Sequence, residues 1–129
     1  MPRQKGLEMT GPQIIEPAVA ARNRSLIVAR IRPGAESEVA RIFAESDATS
    51  LPHDLGVRQR SLYSLRDLYV HLVEFDNDVD VVMSRAQGHP GFADISERLR
   101  PYISPYDPQT WRSPKDAAAV QFYSWRPET

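Results

Sequence analysis

The sequence predicts an α+β fold of the ferredoxin-like type, in which helices cover one face of a four-stranded antiparallel sheet. Three observations support this prediction. The chain has 129 residues, enough for one hydrophobic core and too few for two. Strand and helix patterns follow one another in the order βαββαβ. Finally, two strand-like runs are separated by only Arg66 and Asp67, the spacing of a tight hairpin.

The first strand is predicted over residues 26–31, a short apolar run that a Pro-Gly pair ends. Apolar residues at three- and four-residue spacing then predict an amphipathic helix over 35–46. The following segment, 47–56, is polar and contains a proline and a glycine, so we expect a loop there.

The hairpin strands are predicted over 57–65 and 68–75. Because the turn between them lacks the Asn or Gly that a primed two-residue turn prefers, we expect either a longer turn or a shifted register. A second helix is predicted over 79–87 with Asp78 as its cap, and a short third helix over 92–99.

The fourth strand is predicted over 118–125, after a connection that contains four prolines. Residues 1–24 show no sustained period and are interpreted as a flexible extension, whose basic residues suggest docking on an acidic carrier protein as a less favoured alternative. The single domain is therefore expected to span 25–129.

Composition excludes several classes of function. The chain has 16 Lys and Arg against 17 Asp and Glu, so its formal net charge of -1 does not favour binding to nucleic acid or to an anionic membrane. It contains no cysteine, which rules out disulfides, zinc-thiolate sites and cysteine nucleophiles. Apolar runs are far shorter than the roughly 20 residues of a membrane span, and the first ten residues do not resemble a signal peptide. We expect a cytoplasmic protein.

Both faces of the third strand carry apolar side chains, which a sheet covered on one side does not explain. One face has Leu68, Val70 and Leu72, and the other has Tyr69, His71, Val73 and Phe75. Either a second copy of the chain covers the free face, or a ligand cavity lies under the helices and the proline-rich connection. The first solution predicts a homodimer.

Candidate catalytic residues lie on the mixed face of the hairpin. Strand alternation places Arg58 and Arg60 on one face of the second strand, and a suitable register would bring Arg60 next to His71 on the third. Asp47, just after the first helix, is a candidate third member. A carboxylate, an imidazole and a guanidinium suit proton transfer beside a developing oxyanion. Each residue also has an ordinary structural interpretation: a core or interface histidine, a salt-bridged arginine and a helix-capping aspartate.

Other chemistries have little support. The three histidines do not stand at spacings that place two metal ligands side by side, so no metal is expected. Phosphate-binding loops, dinucleotide-binding fingerprints and serine-hydrolase elbows are absent from the sequence. Aromatic residues on the predicted strands usually belong to the core, and some of them are candidates to line an apolar pocket, namely Tyr69, Phe75 and Trp125.

Four collinear segments are similar to those of the tetracenomycin-type aromatic polyketide cyclase family. They are FAESDATSLP at 43–52, GVRQR at 56–60, DLYVHLVE at 67–74 and FYSW at 122–125. The resemblance implies a dimeric α+β barrel of ferredoxin-like protomers, with no metal or organic cofactor, which directs ring closure in aromatic polyketide (antibiotic) biosynthesis. Its substrate would be a polyketide intermediate, free or bound to a carrier protein.

Within these segments the family's arginine, histidine and aspartate match Arg60, His71 and Asp47, which we therefore predict as the catalytic residues. Some family members have a histidine immediately before the aspartate, where this chain has Ser46. His53 is the nearby imidazole that could substitute for it. Substrate-binding residues are predicted to be Tyr69, His53, Arg58, Phe75 and Trp125.

Two other functions are compatible with the same resemblance. Cofactor-independent anthrone-type monooxygenases resemble the same dimeric barrel and act on similar substrates, so fold alone does not decide the reaction. A non-catalytic accessory protein that binds the polyketide is the alternative from another functional class.

Overall fold

The computed structural model describes residues 22–112 and 114–128, and Asn23–Ala119 form one compact unit. Its elements are β1 (Arg24–Ile31), α1 (Glu36–Asp47), α2 (Leu51–Leu55), β2 (Val57–Leu65), β3 (Leu68–Phe75), α3 (Val79–Gln87), α4 (Pro90–Leu99), β4 (Ile103–Pro105) and a 3₁₀ helix (Pro114–Ala117). Arg22 and residues 120–128 lie outside this unit, and their described backbone contains no helix or strand.

The four strands form one sheet in the order β2-β3-β1-β4, and every neighbouring pair is antiparallel. This order confirms the predicted ferredoxin-like α+β fold, in which the first and third strands occupy the centre. β2 and β4 are the edges. Arg60 lies on the edge strand β2, and His71 lies on the adjacent central strand β3.

The helices cover one face of this sheet, because their buried residues pack with the strand residues that point to the same side. From the strands, the core contains Ala29, Ile31, Tyr69, Val73 and Phe75. From the helices, it contains Val39, Ile42, Phe43, Leu51, Leu55, Val82, Ala86 and Ile95. For α1, the helical periodicity of the sequence had already indicated this apolar face.

The hairpin of β2 and β3 closes with a two-residue turn, since Leu65 pairs with Leu68. Arg66 adopts a left-handed backbone with φ 58°, the positive φ that primed hairpin turns need at their first central residue. The expectation of a longer turn or a shifted register there was therefore wrong. Irregularity occurs instead at the other end of the hairpin, where a β-bulge lies between Val57 and Gln59.

The segment predicted as a loop over 47–56 contains a short helix, α2. Pro52 occupies its first turn, where a missing backbone N–H costs nothing, and Gly56 ends it with φ 74°. The same two residues that rule out a long helix therefore delimit a short one. The other helix predictions agree within two residues, although Asp78 at the start of α3 makes no side-chain capping hydrogen bond.

The prediction of the fourth strand over 118–125 was wrong. β4 is the short segment Ile103–Pro105, inside the connection that four prolines marked as irregular. An edge strand tolerates a proline because its free N–H side needs no partner. Of the predicted segment, Ala118 forms an isolated bridge with Ile27, and the Ala119 N–H donates to the Leu26 carbonyl at 2.7 Å.

The extension predicted over residues 1–24 lies almost entirely outside the described residues, and β1 already begins at Arg24. None of the helices that the structure describes is long and apolar enough to cross a membrane.

Candidate active site

Three charged or titratable side chains from three elements meet at the edge of the sheet. Asp47 is the last residue of α1, Arg60 lies on β2, and His71 lies on β3. The strand register explains why the latter two share a face: Leu62 pairs with His71, and Arg60 pairs with Val73 two residues along. Residues two apart on a strand point to the same side, so Arg60 and His71 are diagonal neighbours on the helix-covered face.

Arg60 connects the other two side chains. Its Nε and Nη2 donate to Asp47 Oδ2 and Oδ1 at 3.1 and 2.8 Å, a bidentate ion pair. Its Nη1 lies 3.1 Å from His71 Nε2. The Arg60 side chain is 15% exposed and that of Asp47 is 38% exposed, so the cluster is open to solvent on the Asp47 side.

The hydrogen bond between Arg60 and His71 determines the tautomer of the imidazole. A guanidinium nitrogen can only donate, so Nε2 of His71 is the acceptor and its ring proton lies on Nδ1. Arg60 has five N–H donors, of which these contacts use three. Two donors therefore remain for another oxygen.

The structure favours a neutral His71. Burial is the main cause that lowers its pKa to about 4, the positive charge of Arg60 lowers it further, and Asp47 opposes the shift. At neutral pH the site therefore contains one cation, one anion and a neutral imidazole whose basicity depends on the charge beside it.

Phe43 supports this cluster, although the sequence analysis did not assign it to the site. Its buried ring meets the His71 ring edge to face, with centroids 5.2 Å apart, and the Arg60 guanidinium carbon lies 4.9 Å from its centroid. A signal was available, because Phe43 and Asp47 are four residues apart on α1 and so share a helix face.

A cavity of about 160 Å³ lies farther along β2, beside the first half of α1. Its lining is Ile31, Glu36, Val39, Ala40, Leu62, Tyr63, Ser64 and Tyr69. Leu62 lines this cavity and is also paired with His71, so the cavity and the charged cluster are neighbours along one strand.

Of the predicted substrate-binding residues within the compact unit, Tyr69 lines the cavity and the others lie elsewhere. The side chain of His53 is 94% exposed and lies 3.8 Å from Asp54, without contact to the cluster. Arg58 is exposed at the bulge, which breaks the alternation that had placed it beside Arg60. Phe75 is buried in the core, and Trp125 is exposed in the segment outside the compact unit.

Ser46, at the position of the histidine found in some family members, is buried on α1, and its backbone carbonyl accepts a hydrogen bond from the Thr49 hydroxyl at 2.6 Å. His53 therefore does not replace that histidine in space. Among the described residues, no group of three or more His, Cys, Asp or Glu side chains is arranged to hold a metal ion.

A second polar network, not predicted from the sequence, joins α2 to the start of α4. His89 Nδ1 accepts the backbone N–H of Gly91 at 2.9 Å, so the proton of the neutral ring lies on Nε2. This nitrogen donates to Asp54 Oδ2 at 2.8 Å, and Ser50 Oγ donates to the same oxygen at 3.0 Å. The arrangement caps α4 and lowers the pKa of Asp54, chiefly through the hydrogen bond from His89.

Comparison with known proteins gives a consistent result. A protein of Streptomyces coelicolor that carries no functional name is 53% identical over 104 residues, which cover 80% of this chain and 94% of that protein. Polyketide synthase CurG of Streptomyces cyaneus is 47% identical, over 80% of this chain and 96% of its own length.

Tetracenomycin F2 cyclase of Streptomyces glaucescens is 44% identical over 79% of this chain and 93% of its own length. The solved structure of that cyclase superposes with a TM-score of 0.74, covering 81% of this chain and 97% of the cyclase. Residues 23–126 match the family described as polyketide synthesis cyclase, which is the family that the four sequence segments indicated. The chain belongs to the polyketide synthesis cyclase family.

Proposed function

We propose that this protein is an aromatic polyketide cyclase that directs a regiospecific, aldol-type ring closure and dehydration of a poly-β-ketone intermediate. The observation that carries the proposal is the single guanidinium that contacts a carboxylate and a neutral imidazole beside an apolar cavity. Its relatives support the substrate class, since one is named polyketide synthase CurG and another tetracenomycin F2 cyclase.

The chemistry asks more of geometry than of acid or base strength. A methylene between two carbonyls is already acidic, and formation of an aromatic ring drives the loss of water, so no cofactor is needed. The substrate has several ways to close a ring, and its own reactivity does not favour one of them. A shaped apolar site supplies that preference by fixing which carbon approaches which carbonyl, and such orientation contributes up to roughly 7–11 kcal/mol.

Arg60 is assigned to the oxyanion. The two N–H groups that its protein contacts leave free can donate to the enolate oxygen and then to the alkoxide formed when the new C–C bond closes. Asp47 holds the guanidinium plane in place with its bidentate contact, so the donors keep one direction.

His71 is assigned to the proton. The positive charge of Arg60 lowers the pKa of this imidazole. As the carbon-bound proton moves to His71, negative charge develops on the enolate oxygen at Arg60, offsets part of the positive charge and makes the imidazole more basic. Nε2 accepts the carbon-bound proton once substrate displaces its hydrogen bond from Arg60. The same proton then passes to the alkoxide, and the resulting hydroxyl group leaves as water when a second carbon-bound proton is lost.

We also propose that the protein acts as a homodimer. The sheet face opposite the helices, here called the outer face, carries Leu26, Val28, Tyr63, Leu65, Leu68, Val70 and Leu72, as the strand pairing shows. Tyr63 and Leu65 are 57% and 69% exposed. A contiguous apolar face of this kind is typical of a surface between copies.

The experiment compares wild type, Arg60→Lys and His71→Gln on a partly cyclised polyketide, with product followed by mass and absorbance. Arg60→Lys keeps the charge but loses the fork, so we expect kcat to fall by about 10²–10³-fold, the effect of losing one oxyanion donor. Arg85→Lys, on an exposed position of α3, is the matched control.

The same reactions are run with and without oxygen. A cyclase gives the same product at the same rate in both, whereas a monooxygenase stalls without oxygen. Ligand-induced stabilisation without any turnover would instead indicate a non-catalytic binding protein. Wild-type rates and product pattern in both folded variants would contradict the assigned roles.

A further inference from the structure

The lining of the cavity beside α1 includes one buried residue, Tyr69, whose polar group the fold itself does not use. Tyr69 is 4% exposed, and its hydroxyl has no hydrogen-bond partner among the residues that the structure describes. A buried hydroxyl without a partner costs about 1–3 kcal/mol, so such groups are rare in cores and call for an explanation. Here the residue also lines a cavity, so a ligand bound in the cavity can be the partner of the hydroxyl.

The hydroxyl is on the side of the site where the chemistry is proposed. The Tyr69 and His71 rings meet at a steep angle with centroids 6.2 Å apart. Burial raises the pKa of Tyr69 well above its usual range, and the positive charge of Arg60 partly opposes that rise. The Tyr69 hydroxyl therefore stays a neutral donor at any working pH. The charge of Arg60 acts on it as it acts on His71.

The other polar side chains of the lining are at exposed positions, and one of them, Tyr63, is 57% exposed, so water can satisfy its hydroxyl. Ser64 Oγ donates to Glu36 Oε2 at 3.0 Å, and both residues are exposed at the rim. The Glu36 carboxylate disfavours an anionic ligand there. The remaining lining is mostly apolar, with Ile31, Val39, Ala40 and Leu62. The lining therefore suits an apolar group that carries a neutral oxygen.

The size of the cavity restricts that group further. A dry apolar cavity of about 150 Å³ in another protein binds benzene, and this cavity has a volume of about 160 Å³. One six-membered ring fills it. Leu62 is two residues from Arg60 along β2, which at about 3.4 Å per residue is roughly 7 Å, so a ring fused to the one in the cavity extends toward the guanidinium.

We propose that this cavity is a ring-binding subsite, in which the Tyr69 hydroxyl donates a hydrogen bond to a phenol or carbonyl oxygen on a six-membered ring of the substrate. The subsite adds detail to the proposed function. It rests on that function in one respect, namely that the bound ring is part of a polyketide. It fixes one end of the molecule, and the distance to Arg60 then selects which carbonyl receives the oxyanion donors.

The test measures binding without turnover. The ligands are β-naphthol and the methylnaphthalene in which a methyl group replaces the hydroxyl, titrated into wild type and Tyr69→Phe. We expect wild type to prefer β-naphthol by about two- to tenfold, the worth of one hydrogen bond, and Tyr69→Phe to lose this preference. Tyr106→Phe, at an exposed tyrosine, is the matched control and keeps it.

A second variant tests the location of the ring. Ala40→Leu fills the cavity and is expected to weaken the binding of both ligands by tenfold or more, whereas Ala93→Leu on an exposed position of α4 leaves both unchanged. Equal ligand preference in wild type and Tyr69→Phe would overturn the hydrogen bond. Unchanged affinity in Ala40→Leu would overturn the subsite.

Thermal unfolding separates a binding role from a structural one. A buried hydroxyl without a protein partner destabilises the folded state, so Tyr69→Phe is expected to melt at the wild-type temperature or above it. A clear fall in melting temperature would assign the hydroxyl to the fold and overturn the inference. Because no step depends on ring closure, loss of the proposed cyclase activity alone leaves these outcomes unaffected.

Discussion

At the scale of single residues, Arg60 contacts both the carboxylate of Asp47 and the neutral imidazole of His71. The strand alternation of the sequence was enough to place Arg60 and His71 on one face, because period-two geometry leaves few choices once the hairpin register is known. The direction of each hydrogen bond and the neutral state of His71 could not be predicted. They depend on the Phe43 ring and on Asp47, which α1 brings in from outside the hairpin.

The neutral state of His71 predicts how stability depends on pH. In the folded protein the pKa of His71 is about 4, against 6.5 for an ordinary histidine. Between these values the unfolded chain binds a proton that the folded chain does not, so the free energy of unfolding falls as pH is lowered through this window. The full contribution is present above 6.5 and is lost progressively as pH falls toward 4.

We therefore expect the melting temperature of His71→Gln to fall less steeply than that of wild type when pH is lowered through this window, because the variant has no imidazole to protonate. Circular dichroism melts at a series of pH values measure the two slopes. His53→Gln, which removes an exposed imidazole, keeps the wild-type slope. Parallel curves for wild type and His71→Gln would contradict the lowered pKa of His71.

At the scale of elements, three helix boundaries contain a glycine, and two of these glycines have a backbone that favours glycine. Gly56 ends α2 with φ 74°, and Gly34 lies between β1 and α1 with φ 82°. Gly88 ends α3 with φ -99°, which any residue adopts. A Cβ on Gly34 or Gly88 meets no atom within 4 Å, whereas on Gly56 it would overlap the Asp76 carboxylate. Gly88 therefore has neither backbone strain nor crowding, Gly34 has backbone strain alone, and Gly56 has both.

Alanine substitution at these three glycines gives an ordered prediction. Gly88→Ala is expected to leave the free energy of unfolding unchanged or to raise it by about 0.4–1 kcal/mol, since it reduces the entropy of the unfolded chain. Gly34→Ala is expected to lower it by about 1–2 kcal/mol, the cost of a left-handed residue with a side chain. Gly56→Ala should cost at least as much. Urea unfolding of the three variants measures these differences, and a loss in Gly88→Ala equal to that in Gly56→Ala would contradict the explanation.

The elements also show which helices and strands a sequence pattern does not predict. α1 was predictable because its apolar spacing is sustained over about three turns, and α3 because a cap residue and a break containing glycine and proline mark its two ends. α2 has only five residues and gives no period. β4 has three residues, one of them a proline, so its propensity argued against a strand. Its pairing with β1 comes from tertiary contact at the sheet edge, which a local pattern does not encode.

At the scale of the whole molecule, the order of the strands was easier to predict from the sequence than what covers the two faces of the sheet. The order βαββαβ allows few antiparallel arrangements, and the observed β2-β3-β1-β4 is one of them. The apolar outer face was visible in β3 alone, through Leu68, Val70 and Leu72. Which molecule covers that face is not a property of one chain's pattern, so the homodimer stays a prediction.

The dimer is tested at the centre of the outer face. Val70 pairs with Val28 on one side and with Tyr63 on the other, so a lysine there places a charge in the middle of the proposed contact. Stable dimers bury about 800 Å² from each partner, and a central charge without a partner is strongly unfavourable in such a surface. We expect Val70→Lys to be a folded monomer in sedimentation, because its side chain lies outside the helix-covered core. Val81→Lys, at an exposed position of α3, is the matched control and keeps the wild-type mass. A monomeric wild type, or a Val70→Lys variant that sediments as a dimer, would remove the outer face from the proposed assembly while leaving the cluster of Asp47, Arg60 and His71 unaffected.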